Sequence, residues 1–228
     1  MPKAPEREPA PNSSRVRTVP FCAGTLNTKT LRDDFKLASL AISCAKLSQD
    51  LLLIQETHRN DSEDLTINHK HFSHWRFVGS GLLTGARAGV GILLSPNCQL
   101  ISHSFPLPGR IIAAKVVIKG QKIYAVSAYA PDESYAESTK QAFWSSLNKC
   151  ISGAAGFKVF LGGDFNATIL PGQHTSTGRV FPRVCYERAK STSFNGEQLL
   201  GLAGEQKLYV ENTFLSTAAP AIRGRSSP

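Results

Sequence analysis

The side chains able to do chemistry cluster in four short segments, each close behind an apolar stretch. Asn27 stands in Thr25-Leu26-Asn27-Thr28, and Glu56 directly follows Leu51-Leu52-Leu53-Ile54-Gln55. Tyr129 opens Tyr129-Ala130-Pro131, and Gly162-Gly163-Asp164-Phe165-Asn166-Ala167 follows the run 157–161. Carboxylates, carboxamides and a phenol are the groups of acid–base, hard-cation and anion chemistry, and layered α/β folds gather such groups at strand ends. The two glycines are expected to free the backbone to turn and to present Asp164 and Asn166 together. Singly, each has an ordinary explanation: Asn27 as a turn former, Glu56 as a solvated charge, Tyr129 as a core aromatic, His58 as a surface residue, and Asp-Phe-Asn as a loop bonding its own backbone. Only the set points to a function.

Elements must position that set. Phe35, Ala38, Ile42 and Ala45 fall at helical spacing and lead into the buried-strand run 51–54. Strands are expected over 77–78, 90–94, 111–118 and 122–129, with Lys119-Gly120-Gln121 as a hairpin loop. A second helix is expected over 134–150, a strand over 157–161, and a third helix over 196–206 before Leu208-Tyr209-Val210. Strand groups separated by helices predict an α/β or α+β layered domain.

The chain has 228 residues, enough for one domain with a sizeable core. Its 41% hydrophobic and 19% charged content excludes a fibrous or wholly disordered class. Residues 1–18, rich in Pro, Ser and charge, predict a disordered leader, and 216–228 a disordered tail, leaving 19–215 as the domain. No apolar run is long enough to span a bilayer and no secretory h-region opens the chain, so no membrane association and an intracellular location are expected. The five cysteines lack CxxC spacing and are odd in number, as expected of reduced core thiols. A net charge of +9 fits work near phosphates.

In their order and spacing, QETH at 55–58, ARAGVGILLS at 86–95, YAP at 129–131 and GGDFNA at 162–167 resemble the endonuclease/exonuclease/phosphatase superfamily. The stretch 195–214 is similar to its non-LTR retrotransposon branch, which implies a helix and then a strand before the Asn212-Thr213 turn, and in particular to craniofacial development protein 2-like sequences. The resemblance spans 20 to about 215 and implies a four-layered α/β sandwich, two mixed sheets face to face with helices outside. It implies Mg2+-dependent hydrolysis of DNA phosphodiesters, in the nucleus, by a domain fused in its parent element to a reverse transcriptase. Glu56 would hold the Mg2+ with Asn27 beside it, directly or through water. Asp164 would orient and deprotonate the attacking water, Asn166 would hold the scissile phosphate, and Tyr129 would give it a further hydrogen bond. Arg179 and Arg183, with Arg188 and Lys190, would track a DNA backbone from the loop around 171–194.

Two departures from the family pattern stand out. Leu26 occupies a position where the family usually has Trp, still apolar. More consequentially, the Ser-Asp-His segment and its strands, with which the family closes its domain, have no counterpart here; the last histidine is His174. The sequence therefore predicts a sandwich lacking its last strands, with an open sheet edge and marginal folding, and either weak cleavage or a non-catalytic nucleic-acid-binding remnant. Another phosphoesterase of the superfamily is a further alternative, disfavoured by the match at 195–214.

Overall fold

The computed structural model of the protein describes residues 19–69, 72–81, 88–170, 174–175, 178–179 and 191–210. The expected leader and tail, Arg183, Arg188 and Lys190 lie outside these residues.

The first sheet begins with β1 (Ala23–Asn27) beside β2 (Leu51–Gln55) in parallel. Antiparallel β5 (Val90–Leu94), β4 (Phe72–Ser80) and β3 (Glu63–His69) complete it, in the order β1-β2-β5-β4-β3. The second sheet runs β6 (Cys98–Leu107), β7 (Ile111–Ile118), β8 (Gln121–Tyr129) and β9 (Lys158–Asp164), antiparallel until the parallel β8–β9 pair. A short ladder, β10 (His174–Thr175) with β11 (Gly178–Arg179), stands apart from both. Helix α1 is Asp34–Lys46, α2 is Glu137–Ser152 and α3 is Phe194–Glu205.

Three apolar layers hold these elements together. Leu51, Leu53, Val90 and Ile92 meet Ile112, Ala114, Val116 and Ile118 between the sheets. Leu37, Ala41 and Cys44 of α1 cover Leu52, Ile54 and Phe77 on the outer face of the first sheet. Phe143, Trp144, Leu147 and Leu202 of α2 and α3 cover Ala113, Tyr124 and Val126 on the outer face of the second. The chain is thus the expected four-layered α/β sandwich. It also explains the unbroken run 51–54: successive side chains of β2 point to opposite faces, and both faces are buried.

Several expectations change in detail. The buried stripe of α1 is Leu37, Ala41 and Cys44, while Phe35 is 77% exposed; the apolar spacing was real but belonged to the margin of the helix. Strand β6, paired along one side only among the described residues, alternates between exposed and half-buried residues and has no long apolar run to betray it. Residues 208–210 form no strand. Lys207 turns left-handed at φ 53° and Leu208 N–H closes back on Ala203 O, so the helix ends in a cap and Leu208 packs against the core of the second sheet. The 119–121 hairpin loop tightens to Lys119-Gly120, both at positive φ, with Gln121 already in β8.

Candidate functional site

Parallel pairing within each sheet sends β1, β2, β8 and β9 to the same end of the sandwich, with Asn27 opposite Gln55 and Tyr129 opposite Asp164. Four of the five residues singled out above are thereby carried to one place by four strands from two sheets. The fifth, Asn166, follows two residues after β9.

Asn27 joins the sheets. Its amide nitrogen donates to Glu56 Oε1 at 2.8 Å and to Asp164 Oδ2 at 2.9 Å, while its Oδ1 accepts the Lys29 N–H at 3.0 Å. The two carboxylates, 108 positions apart in the chain, therefore converge on one nitrogen. Glu56 takes a left-handed backbone, φ 55°, immediately after β2; for a non-glycine this costs on the order of 1 kcal/mol and persists only where the surroundings impose it. Here Thr57 N–H bonds Gly89 O and Thr28 hydroxyl bonds Gln55 O, clamping both sides of the turn.

The glycines of 162–163 do not turn. Both stay in β9, and a Cβ on Gly163 would run into the carbonyl oxygen of Ala128 on β8. They serve close approach between strands, which brings Asp164 level with Tyr129. The turn comes at Asn166, φ 44°, whose N–H bonds Asp164 Oδ1 at 3.2 Å and whose side-chain nitrogen bonds Ala130 O at 2.9 Å. Phe165, between them, stacks on Trp144 of α2 with centroids 6.0 Å apart, so one apolar anchor fixes both flanking polar residues.

Tyr129 completes the cluster. Burial first, then the negative charge and hydrogen bonding of Glu56, push its phenol up to about 12, with the Arg110 guanidinium opposing. The phenol is thus a proton donor at any working pH. His58, given no role from sequence, has Nε2 3.8 Å from Glu56 Oε2, buried and without a hydrogen-bond partner among the described residues.

Three contributors escaped the sequence. Gln55, 1% exposed, donates to Ser127 Oγ at 3.0 Å and accepts from Thr25 Oγ1 at 3.1 Å, while Ser127 bonds Ile54 O; this chain of hydrogen bonds pins β1, β2 and β8 beneath the site. Asn195, fully buried in the first turn of α3, donates to Pro131 O and Asn166 O and accepts from Trp144 Nε1. It ties the Tyr-Ala-Pro and Asp-Phe-Asn loops to one helix. Arg110 lies over the rings of Tyr129 and Tyr135, at 4.8 and 5.2 Å. Its only sequence signal was its place after a Pro-Gly turn; Gln55 and Asn195 stood in stretches that carry the family resemblance, but nothing local marked either as a tie between elements.

Arg179 lies in β11 and is not brought to the cluster by any described contact. Among the described residues no group of three or more His, Cys, Asp or Glu is poised to enclose a metal. The donors that do converge, the Glu56 and Asp164 carboxylates, are hard oxygens. They suit Mg2+, which keeps several waters and takes one or two carboxylates plus substrate phosphate, better than an ion needing a full protein cage. No described helix is long and apolar enough to cross a membrane.

Comparison with known proteins agrees with this architecture. The profile of the Endonuclease/Exonuclease/phosphatase family matches residues 22–185. The endonuclease domain of TRAS1, a telomere-specific non-LTR retrotransposon, superposes with a TM-score of 0.55 at 19% identity, over 82% of this chain and 71% of that one. An AP endonuclease from Archaeoglobus fulgidus gives 0.48 at 21% identity, covering 78% and 69%. A humanized D. rerio TDP2 gives 0.41 at 18%, covering 62% and 60%. No curated protein sequence is significantly similar.

Proposed function

Since the chain belongs to the Endonuclease/Exonuclease/phosphatase family, we propose that it is a Mg2+-dependent endonuclease domain of the non-LTR retrotransposon type, hydrolysing DNA phosphodiesters at the Asn27–Glu56–Asp164 cluster. One observation carries this: carboxylates from two sheets converge on a single carboxamide at the common end of four strands.

A phosphodiester is anionic and resists attack by an anionic nucleophile, so the site must supply positive charge and a positioned water. Mg2+ bound at Glu56 would supply the charge. Asn27, whose nitrogen donates to both carboxylates and whose oxygen accepts from the Lys29 N–H, holds Glu56 in place and would stand beside the ion, directly or through water. Asp164 has one oxygen engaged by Asn27 and the other by the Asn166 N–H. That fixes the carboxylate to orient a water and accept its proton. Asn166 keeps one of its two side-chain N–H groups free of Ala130 for a phosphate oxygen, and Tyr129, whose phenol bonds Glu56 here, would turn its proton to the same phosphate. Fusion to a reverse transcriptase in the parent element and work in the nucleus belong to the same reading.

The products distinguish this chemistry. On an end-labelled duplex with Mg2+, cleavage should leave 5′-phosphate and 3′-hydroxyl ends that a polymerase extends without treatment. Ends blocked by a 3′-phosphate would contradict the assigned direction of attack. Retention of DNA with no cleavage at any metal concentration would support the non-catalytic binding reading instead.

A further inference from the structure

Beside the carboxylates, a cleft of about 470 Å³ is lined by Glu56, Arg110, Tyr129, Asp132, Ser134 and Tyr135. Its far wall is built. Tyr135 is 41% exposed, yet its ring is fixed: Arg110 donates to its hydroxyl at 3.0 Å and lays the guanidinium over its face, while its N–H bonds Asp132 O. The other flank of Arg110 rests over Tyr129. Among the described residues no carboxylate lies within ion-pair distance of Arg110. The nearby Asp132 turns one oxygen to the N–H and hydroxyl of Ser134 instead. The result is a guanidinium without a close ion-pair partner among the described residues, held between two aromatic rings, one of them open to solvent, a short step from where the phosphate would be cut.

We propose that Tyr135 and Arg110 form a subsite for an unpaired DNA nucleotide flanking the scissile bond, its base stacking on Tyr135 and its phosphate meeting Arg110. The proposal rests on the endonuclease reading above and names the form of DNA that site takes. A fixed, half-exposed aromatic ring offers its π-face to any base, and stacking is tolerant of sequence. A guanidinium can serve ring and phosphate at once, being planar, weakly hydrated and permanently charged. Within an intact duplex a base is already stacked on both sides, so the subsite selects a strand that is single or locally opened.

The test uses the full chain in EDTA, where no strand is cut, with a short single-stranded oligonucleotide carrying 2-aminopurine and the matching blunt duplex. Wild type should bind the single strand more tightly than the duplex and quench the 2-aminopurine. Tyr135→Ala should bind the single strand about tenfold more weakly, the scale of one lost stacked base, and abolish quenching, whereas Tyr135→Phe keeps both. Equal melting temperatures of the three proteins establish that the loss is local. Unchanged affinity and quenching in Tyr135→Ala, or equal binding of duplex and single strand by wild type, overturns the subsite. A wild type that nicks DNA with Mg2+ yet gives that result loses only the subsite; one that neither binds nor cuts loses the endonuclease reading with it.

Discussion

Tyr129 shows how a single residue acquires a role that its type alone does not announce. In sequence it is a strand aromatic; in the structure it ends β8 facing Glu56, and burial together with that carboxylate raises its phenol to about 12. A raised value means the folded state holds the proton more tightly than the unfolded chain. The stability linked to it is complete below pH 10, the ordinary tyrosine value, and is lost as pH climbs from 10 towards about 12. Denaturation across that window should cost wild type more stability than Tyr129→Phe, which has no such proton to lose. Parallel slopes for the two proteins would show that the phenol does not feel Glu56. The same substitution should slow cleavage roughly 10²-fold, as removal of a positioned donor does, without moving the pH profile near neutrality. Asn27, Glu56, Tyr129, Asp164 and Asn166 were legible as candidates because they lie at or just beyond the ends of apolar runs, a local feature. Gln55, Asn195 and Arg110 were not, since their importance lies in partners 29 to 72 positions away or in rings brought together only by the fold.

At the scale of elements, the site depends on the registers of β1 with β2 and of β8 with β9. The second register is tight because Gly163 lies against the Ala128 carbonyl. Gly163→Ala should cost about 1–3 kcal/mol, as overpacking of a close contact does, and should reduce cleavage because Asp164 shifts relative to Tyr129. Urea denaturation with matched activity assays checks both; an unchanged midpoint would mean that β9 has room to move. Runs such as 51–54 and 90–94 were visible in sequence because burial on two faces leaves no polar position, and 111–118 was visible because Lys115 alone interrupts it. Edge strands β3 and β6, each exposed along one face or flank, carry a mixed pattern that sequence periodicity cannot separate from loop. The glycines were legible as a special place in the backbone, although the sequence favoured a turn where the structure needs close approach.

For the whole molecule, two stacked sheets present their parallel-strand ends on one side, and helices close the outer faces. Among the described residues β1 and β9 are the outermost strands next to the site, one in each sheet, so the Glu56 and Asp164 carboxylates stand beside edges that no described strand pairs. The layered class was legible from the alternation of strand groups and helices. The pairing order was not, because β5 inserts between β2 and β4 and no local signal encodes that neighbour. What the architecture delivers is the meeting of Glu56 and Asp164 across two sheets, and nicking of supercoiled plasmid tests it most directly. Purified protein with Mg2+ should convert supercoiled to open-circular DNA, EDTA should stop the conversion, and a Glu56→Ala, Asp164→Ala double variant of unchanged melting temperature should lose it. Nicking that persists in the double variant, or no nicking by wild type under any divalent metal, would contradict the assignment of hydrolysis to this cluster.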